Sequence, residues 1–260
     1  MKTNNNIYYS NDCDKVVSFK EKPIIIDENY KYLPKKLITK IFAWISYRLI
    51  ATPFAFITFK LINRVKFFNI DVLKKFKNDS YFIYANHTNQ FCDGFCPALI
   101  CFPQKPHIIV NPANVSIPLI GILNKLWGGL PLPNNIKATK NFYNALETVI
   151  NSNNPILIYP EANLWPYYTK IRNFPNTSFR YPIKYNKPVF TFTTVYKKRK
   201  HFKRPKIEVY VDGPFYPNRE LNEKEAQENL RNVIFEKLNE RSCLNNYEYV
   251  KYIKRSEKYD

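Results

Sequence analysis

Tyr81-Phe-Ile-Tyr-Ala-Asn-His87-Thr-Asn-Gln-Phe-Cys-Asp93 is an apolar, aromatic-rich run that breaks off at Asn86-His87 and meets a carboxylate six residues later. The run has the length and composition of a buried strand. Asn86, Thr88 and Asn89 are turn and cap residues, so the strand is expected to release into a loop that opens a helix. In α/β proteins the ends of strands hold ligands and reactive groups. A histidine with a nearby carboxylate is the smallest unit able to act as an oriented general base. On a regular helix a six-residue separation is about 600°, which points the two side chains to different faces. His87 and Asp93 therefore meet only if His87 lies in the turn and Asp93 in the early helix. The bland alternative is a capping histidine beside a solvated aspartate.

The pattern continues outward from this segment. Strand-like runs follow at His107–Val110, Pro155–Tyr159, Val189–Tyr196 and Ile207–Val211. Between them, Ala138–Ile150 carries Phe142, Leu146, Val149 and Ile150 at helical spacing. Near the C-terminus Asn222 and Glu225 form a capping box ahead of Ala226, Leu230, Val233, Ile234 and Leu238. Strands alternating with helices predict an α/β fold, a mixed central sheet flanked by helices with a substantial parallel portion.

Residues 33–68 differ in character. No acidic residue lies between Glu28 and Asp71, while Lys31, Lys35, Lys36, Lys40, Arg48, Lys60, Arg64 and Lys66 are interleaved with Ile, Leu, Phe and Trp. The longest uncharged run, Leu49 to Phe59, contains Pro53 and is short for a lone membrane span, which needs about 20 apolar residues. Two helices meeting near Pro53 are expected, an amphipathic N-terminal helical hairpin lying in a membrane interface with its lysines at phosphate level. The alternative is a buried hairpin packed on its own domain. The chain is thus divided into an arm (1–32), this basic amphipathic segment (33–68), an α/β domain (69–245) and a solvated or membrane-facing tail (246–260).

The formal net charge of +19 favours polyanionic partners: an anionic membrane surface, nucleic acid or phosphorylated substrates. No nucleic-acid motif is present, and the cations cluster with apolar residues, so nucleic acid is not the expected partner. Cys13, Cys92, Cys96, Cys101 and Cys243 have neither disulfide-framework nor paired zinc-ligand spacing. Cys92, Cys96 and Cys101 read as small buried hydrophobes, and the set as a whole fits a reducing cytoplasm. The chain opens on polar, Asn-rich residues with no signal-peptide pattern.

Two further strand-end clusters accompany the first. Ile156-Leu-Ile-Tyr-Pro160-Glu161 breaks into a polar turn followed by Lys170, Arg172 and Arg180, a cation set suited to a phosphate. Leu126-Trp-Gly128-Gly129-Leu-Pro-Leu-Pro133 has paired glycines that allow close backbone approach.

In this order, the pieces resemble the glycerolipid acyltransferases of the lysophosphatidate-acyltransferase type. Asn86-His87 with Asp93 is similar to that family's first block and Gly128-Gly129 through Pro133 to its second. Pro160-Glu161 is similar to the third block and Lys187-Pro188-Val189 to the fourth. There are three departures. Five residues rather than four separate His87 from Asp93; Glu161 is followed by Ala162-Asn163-Leu164 in place of Gly, Thr and Arg; and the second block ends without its arginine.

The resemblance implies transfer of a fatty acyl group from acyl-CoA or acyl-carrier protein to the hydroxyl of a lysophosphatidate-like glycerolipid. His87 and Asp93 would be the catalytic residues. Asn86, Gly128, Gly129, Glu161, Lys170, Arg172 and Arg180 would bind substrate. A backbone N–H near the Asn86 turn or at the start of the next helix would hold the oxyanion. Neither metal nor cofactor is implied, and the expected location is the cytoplasmic face of the cell membrane, peripheral or monotopic. A thioesterase-like hydrolase and a non-enzymatic nucleic-acid-binding protein are the alternative readings.

Overall fold

The computed structural model describes residues 6–17 and 23–255. Seven strands form one mixed sheet: β2 (Lys66–Phe68), β3 (Phe82–Ala85), β4 (His107–Val110), β5 (Gly129–Pro131), β6 (Ile156–Ile158), β7 (Val189–Lys197) and β8 (Lys206–Phe215). Their spatial order is β2-β8-β7-β3-β6-β4-β5. All pairings are parallel except the β7–β8 hairpin. Strand β3 lies near the centre, with all four residues buried, as expected where both faces of a parallel sheet are covered.

One face packs against helices α3 (Ile136–Asn151), α4 (Arg180–Tyr185) and α5 (Glu223–Ser242) through Phe82, Tyr84, Phe142, Tyr181, Leu230 and Ile234. The other packs against helix α2 (Gln90–Ile100) and part of the N-terminal helix through Ile83, Ala85, Cys92, Cys96, Phe190 and Phe59. Asn222 caps α5, its side chain accepting from the Glu225 N–H at 3.0 Å. Cys92, Cys96 and Cys101 fill space between α2 and the sheet, where burial pushes the Cys101 thiol up to about 12.

The expected helical hairpin is instead one continuous helix, α1, from Leu37 to Ile62. At Ala51 and Thr52 the backbone stays right-handed helical, so Pro53 does not break it. The reason lies in two π segments, Ser46–Ala51 and Phe56–Ile62, on either side of the proline. The Thr52 N–H bonds the Tyr47 carbonyl, five residues back, and the widened turn gives the proline ring room. The same segments explain a straight buried stripe, Ala43, Tyr47, Ala51, Ala55 and Phe59, spaced by four. In a pure α-helix that spacing drifts about 40° per step, roughly 160° in all; π turns hold more residues and cancel much of the drift. Leu37, Ile38, Phe42, Trp44, Leu49, Ile50, Leu61 and Ile62 remain exposed. This helix is long and apolar enough to cross a membrane, and its exposed apolar face is compatible with membrane association.

The C-terminal segment is not a solvated tail over its described part. Strand β9 (Lys251–Lys254) pairs in parallel with β1 (Asn6–Tyr9). Tyr9 and Tyr252 close over Trp165, Tyr252 stacked at 5.1 Å. The arm is anchored a second time at Ile26, whose N–H bonds Asn134 Oδ1 at 2.6 Å.

Candidate active site

The sheet end at which β3, β6 and β7 finish carries the site. Asn86 ends β3 and is buried, its amide pairing both ways with the Thr194 backbone of β7: Nδ2 donates to the carbonyl at 3.0 Å, and Oδ1 accepts the N–H at 2.8 Å. This pair of hydrogen bonds fixes where the chain leaves the sheet. Asn89 then caps α2, accepting from the Cys92 N–H at 3.1 Å, which puts Asp93 in the first helical turn.

His87 and Asp93 meet. His87 Nδ1 lies 2.8 Å from Asp93 Oδ2, which also accepts the N–H groups of Thr88 and Asn89, each at 3.0 Å. Five intervening residues are accommodated because the carboxylate reaches back over the turn it caps. Burial pushes the Asp93 carboxyl up, while the His87 imidazole and the two N–H groups oppose that rise. An acceptor oxygen with three donors keeps the Nδ1–H tautomer, leaving Nε2 as the basic nitrogen. Nε2 has no hydrogen-bond partner among the described residues. The His87 side chain is 22% exposed against 4% for Asp93, so the imidazole reaches solvent and its partner does not.

Tyrosines that the sequence reading overlooked hold this pair. Tyr159 stacks on the imidazole at 4.4 Å and donates its hydroxyl to the Asp93 carbonyl at 2.6 Å. Burial keeps that phenol protonated. The Tyr196 hydroxyl lies 2.9 Å from the Thr88 carbonyl and 2.7 Å from its Oγ1. Tyr159 sits directly before Pro160-Glu161, so its place after a strand was visible in the sequence; Tyr196, distant along the chain, gave no such signal.

Of the residues expected to bind substrate, most are engaged elsewhere. Asn86 spends its amide on Thr194. Glu161 and Arg172 form a sealed pair, Nη2 to Oε2 at 2.9 Å, with side chains 2% and 1% exposed. Glu161 also accepts the N–H of Arg172 at 3.0 Å and that of His87 at 3.3 Å. Arg172 lies 4.7 Å over the Trp165 ring and donates to the carbonyls of Asp12 and Asn163. It is a structural cation, closed to a phosphate. Burial pushes the Glu161 carboxyl up, opposed by the guanidinium.

Arg180 begins α4, on the opposite face of the sheet from α2, in an open groove of about 560 Å³ with Tyr143, Lys184 and Arg219. Gly128 and Gly129 stand at the start of β5, on the far end of the sheet, since Gly129 is level with Ile108, Leu157 and Ile83. Their role is close approach: Gly128 has φ +108°, and a Cβ there would lie 2.9 Å from the Pro106 carbonyl oxygen. Of the predicted cations, Lys170 is exposed and lies on the loop after β6, whereas Arg172 is buried and Arg180 opens into the groove on the α4 side.

That loop is tied to the site. The N–H groups of Trp165 and Tyr167 donate to the carbonyls of His87 and Thr88 at 3.1 and 2.8 Å. The β1–β9 pair thus presses on Trp165, Trp165 on Arg172, and Arg172 on the carboxylate that holds the His87 backbone. Beneath Asp93, a crevice of about 10 Å³ lined by Ala85, Cys96, Tyr159, Phe192 and Val209 has room for at most one water.

Among curated proteins none matches the chain. Among solved structures, the 1-acyl-sn-glycerophosphate (LPA) acyltransferase PlsC from Thermotoga maritima aligns with a TM-score of 0.45 and 14% identity, covering 81% of this chain and 98% of that one. The sequence profile of the family described as Acyltransferase matches residues 64–195, half of the chain, from β2 to near the end of β7 and including His87, Asp93, Tyr159, Glu161 and Arg172. The chain belongs to the acyltransferase family and is an acyltransferase.

Proposed function

We propose that this enzyme transfers a fatty acyl group from acyl-CoA or acyl-carrier protein to the hydroxyl of a lysophosphatidate-like glycerolipid at an anionic membrane surface. The observation that carries the reading is the 2.8 Å contact of His87 Nδ1 with a buried carboxylate, with Nε2 left unpartnered on the open side. In this mechanism Nε2 takes the acceptor's hydroxyl proton as the oxygen attacks the thioester carbonyl. Asp93 orients the ring and stabilises the imidazolium. The tetrahedral adduct collapses with cleavage of the C–S bond, and the proton returns from Nε2 to the departing thiolate, giving ester and thiol.

The oxyanion needs a donor, and the N–H groups of His87, Thr88, Asn89 and Cys92 are already committed. Those of Gln90 and Phe91, the first two residues of α2, carry no partner among the described residues and are the donors this account uses. The crevice beside Asp93 is too small for a fatty chain, which favours an acyl chain that stays in lipid against the exposed apolar face of α1. Lys170 is the candidate contact for the acceptor phosphate. The protein works without metal or organic cofactor in this scheme.

The test uses vesicle-bound protein with radiolabelled acyl-CoA or acyl-carrier protein and, in turn, lysophosphatidate, glycerol 3-phosphate or no acceptor. Labelled phosphatidate is the expected product. Free fatty acid formed equally with and without acceptor would make the protein a thioesterase and overturn the assignment.

A further inference from the structure

The most basic stretch of the chain joins β7 to β8 and takes no part in the site described above. Residues 197–206 read Lys-Lys-Arg-Lys-His-Phe-Lys-Arg-Pro-Lys, seven Lys or Arg in ten positions and no acid. They form the turn of the β7–β8 hairpin, in which Lys197 pairs with Lys206. Lys198, Lys200, His201, Phe202, Lys203 and Arg204 are exposed, Phe202 at 67%. Lys206 is paired with Glu208 at 2.7 Å, and the other six cations have no acidic partner among the described residues; held this closely they repel one another in water, so a fold that brings them together is matched to an anionic counterpart.

Its position identifies that counterpart. Asn86 is bonded to Thr194 of β7, so the turn starts just beyond the level of His87; Lys197 stands about 10 Å further along the strand direction. The turn therefore projects from the same end of the sheet as the imidazole. It also touches the end of the apolar helix: Arg199 Nη2 donates to the Asn63 carbonyl at 2.8 Å, directly after the exposed Leu61 and Ile62. The register of β2 with β8, Lys66 opposite Glu208, keeps that helix end beside the hairpin. Cations, an exposed phenylalanine and an apolar helix end in one place suit a lipid surface, where charges sit at phosphate level and aromatic or aliphatic side chains enter below. An acidic protein would need no apolar neighbours.

We propose that the Lys197–Lys206 hairpin is a docking element for anionic phospholipid headgroups, with Phe202 as its apolar anchor, and that it turns the His87 end of the sheet towards the bilayer. The inference rests on the membrane-surface reading above but not on the identity of the acceptor. Each exposed cation adds about fivefold to partitioning, and the gain is screened by salt.

Full-length protein is floated with vesicles of phosphatidylcholine alone or of phosphatidylcholine with phosphatidylglycerol, with no substrate present, so the result is independent of acyl transfer. The parent is expected to bind the anionic vesicles far more tightly. The combined variant Lys198→Gln, Lys200→Gln, Lys203→Gln, Arg204→Gln should lose about 600-fold on anionic vesicles at low salt and little on neutral ones. The matching variant with the three lysines replaced by arginine and Arg204 kept should bind like the parent, which separates charge from folding damage. Undiminished binding of the glutamine variant to anionic vesicles would overturn the proposal. So would equal binding of the parent to both vesicle types, or a loss confined to retention on immobilised acyl-carrier protein.

Discussion

Two buried carboxylates, each with a side-chain partner, hold the same imidazole-bearing turn, and they differ in one respect that matters. The His87–Asp93 pair is sealed on the carboxylate side and open on the other, whereas Glu161–Arg172 is sealed on both. Glu161 stands just beyond β6 and Asp93 in the first turn of the helix that follows β3, and each accepts backbone N–H groups of the site. Burial raises both carboxyls, opposed by the partner in each case. What separates them is access: Nε2 of His87 lies on the side open to solvent, while Arg172 is buried, its Nη groups taken by Glu161 and backbone carbonyls and its face covered by Trp165, with Nε buried and without a partner. Charge at a strand end is therefore no guide to chemistry until its exposure is known.

The sharpest way to break this contrast is Arg172→Ala. Leaving Glu161 buried without its cation is expected to cost about 3–5 kcal/mol of stability, read by denaturant unfolding, while the acceptor KM of the folded fraction stays unchanged. A raised KM at undiminished stability would make Arg172 a substrate residue after all.

Asp93→Asn should do the opposite: turnover falls by about a hundredfold, because a neutral partner stabilises imidazolium poorly, with the thermal midpoint at pH 7 equal to or above the parent's. The sign follows from linkage. A carboxyl raised in the folded state contributes stability below its unfolded pKa, and that contribution is lost as pH rises through the folded value, so at neutral pH the ionised, buried group is a burden that asparagine removes. A midpoint several degrees lower at pH 7 would give Asp93 the structural role assigned here to Glu161.

Lys170→Ala is the mildest probe. A several-fold rise in the KM of a phosphorylated acceptor, with none for an unphosphorylated one, is expected of an exposed cation; equal KM values would place the phosphate elsewhere.

The contrast also marks how far the sequence could be read. The strands at His107–Val110 and Val189–Lys197 and the helices around Ala138–Ile150 and after Asn222 follow from periodicity and capping, which are local signals. The meeting of His87 with Asp93 was legible as a turn-then-helix geometry. Arg172 was not, because nothing in the ten residues between it and Glu161 says whether a guanidinium faces water or a buried carboxylate. Arg180 and the two glycines are not brought to the His87 turn, for a topological reason: they lie on another face or at the other end of a sheet whose strand order the sequence does not display. The edge strands β2 and β5, three residues each, are too short to carry a period. The β1–β9 pair joins opposite ends of the chain, beyond any window. In α1 the single proline suggested a break, and the π turns that absorb it depend on packing against α2.

The account stands or falls on His87. The direct measurement is the rate of labelled acyl transfer to lysophosphatidate by purified, vesicle-bound His87→Ala protein whose unfolding midpoint matches the parent's. Loss of about 10²–10⁴-fold in turnover is predicted, since the side chain is partly exposed and its removal costs little packing. Transfer within a few-fold of the parent by a correctly folded His87→Ala protein would contradict the assignment of this imidazole as the base.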